Sequence, residues 1–281
     1  MEKQPTKRAD QKGEDVQLDK GVLDKLPPDC KVLSVTSSAQ NVSVATVKIV
    51  VQLKDGTMAE YFKKEASGAV GEDIMRGAFE GEQALYTFAP DRVPKPVAWG
   101  TYRNDPETHF YVCDFVEMID KLPGARQWAT AVSGLHLSSM GRSPTGQFGF
   151  QVPTHLANVP IDNTWNPSWE SFWRQQMKSL FDQDDCVHGT DEELTALNIY
   201  SFTADLGICR NPRYKLGSSC IDEYLKQVPV AEPAEDFDCR NAVYAMKFHA
   251  LLSVMYYKDK RFRNTLAEEL KALIGKLDPS T

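Results

Sequence analysis

From Lys31 to Val116 the chain is written largely with a period of two, and beyond Met118 it turns to the longer period of helices. Strands gathered in front and helices behind cannot build a doubly wound parallel sheet, in which the two alternate. The stretch KVLSVTSSAQNVSVATVKIVVQLKDGTMAEYFKKE is broken by Ser37-Ser38-Ala39-Gln40-Asn41 and by Lys54-Asp55-Gly56, a hairpin signal, which gives three antiparallel strands. The block GEDIMRGAFEGEQALYTFA spaces Ile74, Met75, Phe79, Leu85 and Phe88 helically and stops at Pro90. Two further strands are expected from Val97 to Tyr102 and from His109 to Phe115, joined at Asn104-Asp105-Pro106. Helical patterns follow in ARQWATAVSGLHLSS, PSWESFWRQQMKSLFDQ, DEELTALNIY, SCIDEYLKQV and a long run from Arg240 to Leu277, with no strand of comparable strength. The expectation is an α+β chain of two lobes: a sheet lobe with one helix over residues 18–116 and a helical lobe over 117–281. Residues 1–17 read as a disordered tail, too polar to offset its ordering entropy.

Composition narrows the partners. With 42% hydrophobic and 25% charged residues among 281, disorder is excluded as the main state. The net charge is −7 and the 32 basic residues are scattered, so no basic stripe offers the counterion release that nucleic-acid binding needs. No run of about eighteen apolar residues exists to cross a bilayer, and the opening MEKQPTKRADQKGED is charged. No membrane partner and a cytoplasmic location are expected. Six cysteines stand singly without a C-x-x-C, and none of the five histidines has H-E-x-x-H spacing. Reduced structural thiols and no protein-bound transition metal follow.

A five-strand sheet with one helix after its third strand, followed by a helical lobe, is the ground plan of protein-kinase-like phosphotransferases. Such an enzyme needs a lysine on the third strand to reach the α- and β-phosphates and a helix carboxylate to hold it. The third strand carries Tyr61-Phe62-Lys63-Lys64, and alternation places Lys64 with Phe62 on one face, which makes Lys64 the candidate. The spacing equally suits two solvated strand-end charges. The carboxylate would be Glu80 or Glu82, which lie about 200° apart around a helix and cannot both face one cleft. Trp165, Trp169, Phe172 and Trp173 read as packing, Gly146 and Gly149 as turn glycines, and Tyr256, Tyr257, Lys258 and Arg261 as the wet face of the last helix.

Several segments, in order, resemble the fructosamine kinase (ketosamine 3-kinase, protein-ribulosamine 3-kinase) family, relatives of the aminoglycoside phosphotransferases. They are FKKEASG, F-E-G-E on the helix, V-P-K-P before strand four, L-H with G-x-F-G-F downstream, Trp165 with Trp169, and NPRYKLG. The resemblance implies a two-lobed kinase-like fold using ATP and Mg²⁺. The implied activity moves the γ-phosphoryl group of ATP to the sugar 3-hydroxyl of a ketosamine, on a glycated protein or a small molecule, and so starts deglycation. Lys64 then matches the ATP lysine and Glu82 the second glutamate of F-E-G-E, although an ungapped count back from V-P-K-P puts Ala78 in that place. Asp114, Phe115 and Val116 would lead into the hinge that pairs with adenine.

The chain departs from the family where the chemistry sits. The family carries H-G-D-x-x-x-x-N and, after a hairpin, F-D-P, whose carboxylates orient the acceptor hydroxyl and hold magnesium. This sequence has neither; its one His-Gly is His188-Gly189-Thr190-Asp191, and TALNIY runs straight into SFTADLGICRNPRYKLG. Asp205 matches a structural D-L-G element rather than a metal ligand. The helical lobe is therefore expected to be incomplete, with no catalytic or metal residue assigned. A pseudokinase acting as a binding protein stands as the alternative to an active ketosamine kinase.

Overall fold

The computed structural model describes residues 18–40, 44–191, 194, 207–210, 214–230 and 232–277. A short helix α1 (Lys20–Leu23) precedes β1 (Lys31–Gln40), β2 (Ala45–Gln52) and β3 (Met58–Ser67), then α2 (Gly68–Phe88), β4 (Pro96–Thr101) and β5 (Thr108–Asp114). The five strands form one antiparallel sheet in the order β1-β2-β3-β5-β4. Three strands, a helix and two strands thus stand within a few residues of where periodicity places them. One boundary differs. The polar stretch at Ser37 does not end β1; the register shifts between Ser37 and Ala39, and the strand continues pairing through Gln40 with Ala45. A bulge absorbs the irregularity that reads in the sequence as a break. Helix α1 is also unforeseen, since four residues carry no readable period.

The chain divides into two compact units, one of residues up to Phe79 with Pro94–Glu117, the other of Glu80–Val93 with everything from Met118. In the first, opposite sheet faces bury different clusters. Val22 and Leu26 cover Ile49, Val51, Tyr61, Phe110 and Val112 on one face. Met75, Ile74, Ala78 and Phe79 of α2 cover Ala66, Tyr111 and Cys113 on the other.

The second unit holds α3 (Ala125–Ser139), α4 (Trp169–His188), α5 (Ser218–Leu225), α6 (Phe237–Met255) and α7 (Lys260–Leu277). It also holds a hairpin of β6 (Thr154–Leu156) and β7 (Val159–Ile161), three residues each and too short to announce themselves. Its core gathers Trp173, Met177 and Leu180 of α4, Met246 and Leu251 of α6 and Leu266 and Leu270 of α7. Helix α6 buries residues around most of its circumference, which makes it the central element of this core. The long helical pattern from Arg240 is two helices. The chain breaks at Tyr256, which stacks on Phe262 with centroids 4.9 Å apart, so Tyr256 to Lys258 form a turn rather than a helix face. The DEELTALNIY segment and Asp205 lie outside the described residues, as does the tail 1–17.

Candidate nucleotide face

The junction of β3 and α2 sets the geometry of the candidate site. Gly68 has φ of +76°, which lets the strand turn directly into the helix. At Gly71 a Cβ would lie 2.8 Å from the carbonyl oxygen of Ala66, so only glycine allows the first turn of α2 this close to β3. The helix then lies along the sheet, with Phe79 edge-on to Tyr111 at 6.4 Å.

Alternation along β3 separates the two lysines. Lys64 pairs in register with Tyr111 of β5 and Thr46 of β2, and its ammonium lies 5.1 Å from the centroid of the Tyr111 ring, on the face that α2 covers. Lys63 points to the opposite face, where it is 3% exposed and bonded to Glu65 and to the Tyr102 hydroxyl, which in turn donates to Glu65. Burial, followed by the hydrogen bond to Glu65, pushes the Tyr102 phenol well above its usual range, so it stays protonated as a donor. Lys63 is therefore committed to a buried ion pair, and Lys64 is the lysine of the α2 face. The reading of both as solvated strand-end charges does not hold for Lys63.

The end of β5 is tied into the sheet. Asp114 donates its N–H to the Lys95 carbonyl at 2.9 Å and Phe115 donates to the Glu60 carbonyl at 3.0 Å. The Phe115 ring lies 4.1 Å under the Lys48 ammonium, itself paired with Glu60 at 2.8 Å. Val116 is the first exposed residue beyond these anchors. On α2, Ala78 packs in the cluster facing the sheet, and Glu82 stands one turn further on that helix face. Glu80 belongs elsewhere: it accepts a long hydrogen bond of 3.5 Å from Gln151. Glu80 and Glu82 both fall in the second unit, Lys64 and Asp114 to Val116 in the first.

The His-Gly pair of the second unit is a helix end. His188 is the last residue of α4, and Gly189 caps it with φ of +84°. The His188 Nε2 lies 3.2 Å from both the carbonyl and the hydroxyl of Ser253 and 3.6 Å from Asp184. Asp184, 1% exposed, accepts from the Ser253 hydroxyl at 2.5 Å and from Arg263 Nε at 3.0 Å, while Arg263 Nη2 donates to the Gly189 carbonyl at 3.0 Å. Although this set contains a serine, a histidine and an aspartate, Ser253 is 1% exposed and bonded to the carboxylate itself, so it fastens α4, α6 and α7 and has no path to a substrate.

Trp169 packs at a tilt against Phe172, with centroids 5.7 Å apart, and against Trp173 at 6.3 Å, as expected of packing residues. They also wall a cavity, which helical spacing alone does not reveal. Gly149 abuts Trp165, where a Cβ would lie 2.8 Å from its Cα, and Phe148 pairs with Asn166, so this is a tight packed turn. All six cysteines are free thiols, and burial pushes the Cys209 thiol up to about 11. Among the described residues no helix is long and apolar enough to cross a membrane, and no group of three His, Cys, Asp or Glu could hold a metal ion.

Comparison with known proteins places this architecture. The protein assigned as a fructosamine-3-kinase of Haemophilus somnus 129PT superposes with a TM-score of 0.61 at 10% identity, over 87% of this chain and 92% of that one. A thermostable mutant of an aminoglycoside phosphotransferase, solved in ternary complex with ADP and hygromycin B, gives a TM-score of 0.47 at 11% identity, over 87% and 94% of the two chains. A search of curated proteins finds no match. The five-stranded sheet with α2 after its third strand, followed in the chain by the helices of the second unit, is the kinase-like α+β fold. The sequence description of the family named Fructosamine kinase matches residues 31–183, more than half of the chain, and the chain therefore belongs to the fructosamine kinase family.

Proposed function

We propose that this chain binds ATP on the α2 face of its sheet and recognises a ketosamine, carried by a glycated protein or a small molecule, without transferring phosphate to it. One observation carries the nucleotide half. Strand alternation leaves Lys64 on the α2 face beside Tyr111 while Lys63 is locked on the other, so a single ammonium is positioned to meet phosphates. The N–H groups of Asp114 and Phe115 are spent on Lys95 and Glu60, which leaves the backbone of Val116 to meet an adenine edge. Glu82 is the carboxylate that the family register assigns to the lysine, while Glu80 accepts from Gln151.

The absence of transfer rests on the sequence. Phosphoryl transfer depends on a base that positions the hydroxyl and on metal-held charge neutralisation. No H-G-D and no F-D-P occurs in the chain, and the one His-Gly pair is the C-terminal cap of α4. Mg²⁺ would supply that neutralisation, but the described residues offer it no cluster of ligands, and no step is assigned through it. The competing reading, an active cytoplasmic ketosamine 3-kinase that starts protein deglycation, is favoured by family membership.

Incubation of the full chain with ATP, Mg²⁺ and fructosyl-lysine or ribulosyl-lysine, followed by mass spectrometry, separates the two. Saturable ATP binding that Lys64→Met abolishes, with no phosphorylated ketosamine, is the expected result. Formation of the ketosamine phosphate above the no-enzyme control overturns the non-catalytic reading.

A further inference from the structure

The second unit contains a cavity of about 320 Å³ that the nucleotide reading leaves unused, and its volume is that of a small-molecule site. Two helix stripes wall it. Helix α4 contributes Trp169, Phe172, Trp173 and Gln176, and α6 contributes Tyr244, Lys247, Phe248 and Leu251. Each set follows i, i+3, i+4, i+7, the spacing that puts four side chains on one helix face. Trp173 meets Tyr244 edge-on with ring centroids 5.2 Å apart, which joins the two aromatic walls.

Stripes that face another helix are ordinarily apolar throughout. Here each carries one polar residue, and the two meet: the Lys247 ammonium donates to Gln176 Oε1 at 2.7 Å. Gln176 is 4% exposed, and its Nε2 donates to Asn163 Oδ1 at 3.2 Å, while Asn163 Nδ2 donates to Thr154 Oγ1 at 2.5 Å. This chain of amides turns the Gln176 carbonyl toward Lys247 and so holds the ammonium at the wall, 5.8 Å from the centroid of the Trp173 ring. Gln176 takes one of the three ammonium hydrogens and brings no charge of its own. Among the described residues that line the cavity, Lys247 is the one lysine or arginine and none is an aspartate or glutamate.

We propose that this cavity binds a small aromatic monocarboxylate, with its ring among the α4 and α6 aromatics and its carboxylate on the Lys247 ammonium. Rings supply contact area and edge-to-face partners for an aromatic body. The ammonium supplies a charge-assisted bond to one carboxylate oxygen, in surroundings where such a bond is strengthened by the low dielectric. Lysine is a point charge without the fork that grips a phosphate on two sides, which favours the singly charged carboxylate. A cationic ligand, which an aromatic cage alone would suit, meets Lys247 as a like charge. The site lies within the second unit, apart from Lys64, and does not depend on the nucleotide reading.

The probe is 3-phenylpropionate, titrated into the full chain at pH 7 and followed by saturation-transfer NMR. Its amide, 3-phenylpropanamide, keeps the shape and loses the charge. Saturable binding of the acid is expected, with the amide about tenfold weaker, as when a charge-assisted bond is exchanged for one to a neutral acceptor. Lys247→Met, which keeps an apolar stem and removes the charge, is expected to bring the acid down to the affinity of the amide. Should that variant fail to fold, Leu156→Trp, which enlarges a 39% exposed residue of the cavity wall, is expected to abolish binding of the acid. No saturable binding of the acid, or equal affinity of the wild type for acid and amide, overturns the proposal without recourse to any variant. A preference for the acid that survives in folded Lys247→Met, or acid binding unchanged in Leu156→Trp, overturns it as well, by placing the ligand elsewhere.

Discussion

Replacing Asp184 by alanine removes the acceptor on which three helices meet. The carboxylate sits on α4 at 1% exposure and takes the Ser253 hydroxyl of α6 at 2.5 Å and Arg263 Nε of α7 at 3.0 Å. In the alanine variant the Arg263 side chain, 17% exposed, keeps the Gly189 carbonyl and the Asp185 carboxylate at 4.0 Å but loses its closest counter-charge. Breaking a buried pair from one side costs about 3–5 kcal/mol. Because Arg263 retains those two partners and some access to water, the lower end applies, about 3 kcal/mol. At about 2–4 °C per kcal/mol for a unit of this size, the melting temperature should fall by roughly 6–12 °C. The paired variant Asp184→Leu with Arg263→Met, which removes both charges, should recover most of that loss, since apolar replacement of a whole buried pair is often neutral. Urea unfolding followed by circular dichroism reads both. A single variant within about 1 kcal/mol of the wild type, or a double variant as damaged as the single, would refute the view that this network fastens the end of α4.

Two pH dependences follow from buried titratable groups. Burial holds the His249 imidazole below its usual range, against an opposing pull from Glu269. It is neutral when folded, while the unfolded chain takes up a proton near pH 6.5, so stability is full above that pH and falls as the pH drops through it. Urea midpoints at pH 7.5 and 5.5 should separate in the wild type and converge in His249→Gln. Desolvation works against ionisation of Asp19, but N–H groups of Arg103, Gly21 and Asn104 overcome it and hold the carboxyl below the usual range. Its contribution is present above about pH 4 and is lost as the pH falls further. Asp19→Ala, which uncaps α1 and releases the turn after β4, should cost about 1–2 kcal/mol at pH 7 and flatten the acid limb of the unfolding curve.

The sheet was legible because each strand has a buried face, and burial imposes the period that alternation reports. Lys64 could be chosen for the same reason: Phe62 shares its face and packs under α2. What stayed hidden depends on partners distant in sequence. Glu65 stands two residues from Lys63 on the same strand face, but Tyr102, which closes the buried set, is thirty-nine residues away, so the sequence does not mark Lys63 as a buried ion. The same holds for Asp184 and Arg263, seventy-nine residues apart. The break at Tyr256 was illegible because apolar residues continue through it, and only the stacking on Phe262 shows where the chain turns. The cavity at Trp173 carries no periodic signal, since a helical stripe looks alike whether it meets a neighbour or a void.

The most direct test of the nucleotide face is an ATP titration of the wild type, Lys63→Met and Lys64→Met, each with its unfolding curve. Lys64→Met should keep the stability of the wild type and lose ATP. Lys63→Met should lose stability, by about 1–3 kcal/mol, because Glu65 keeps the Tyr102 hydroxyl but loses its ammonium partner, and still bind ATP below its melting temperature. A folded Lys64→Met protein that binds ATP as tightly as the wild type would contradict the account.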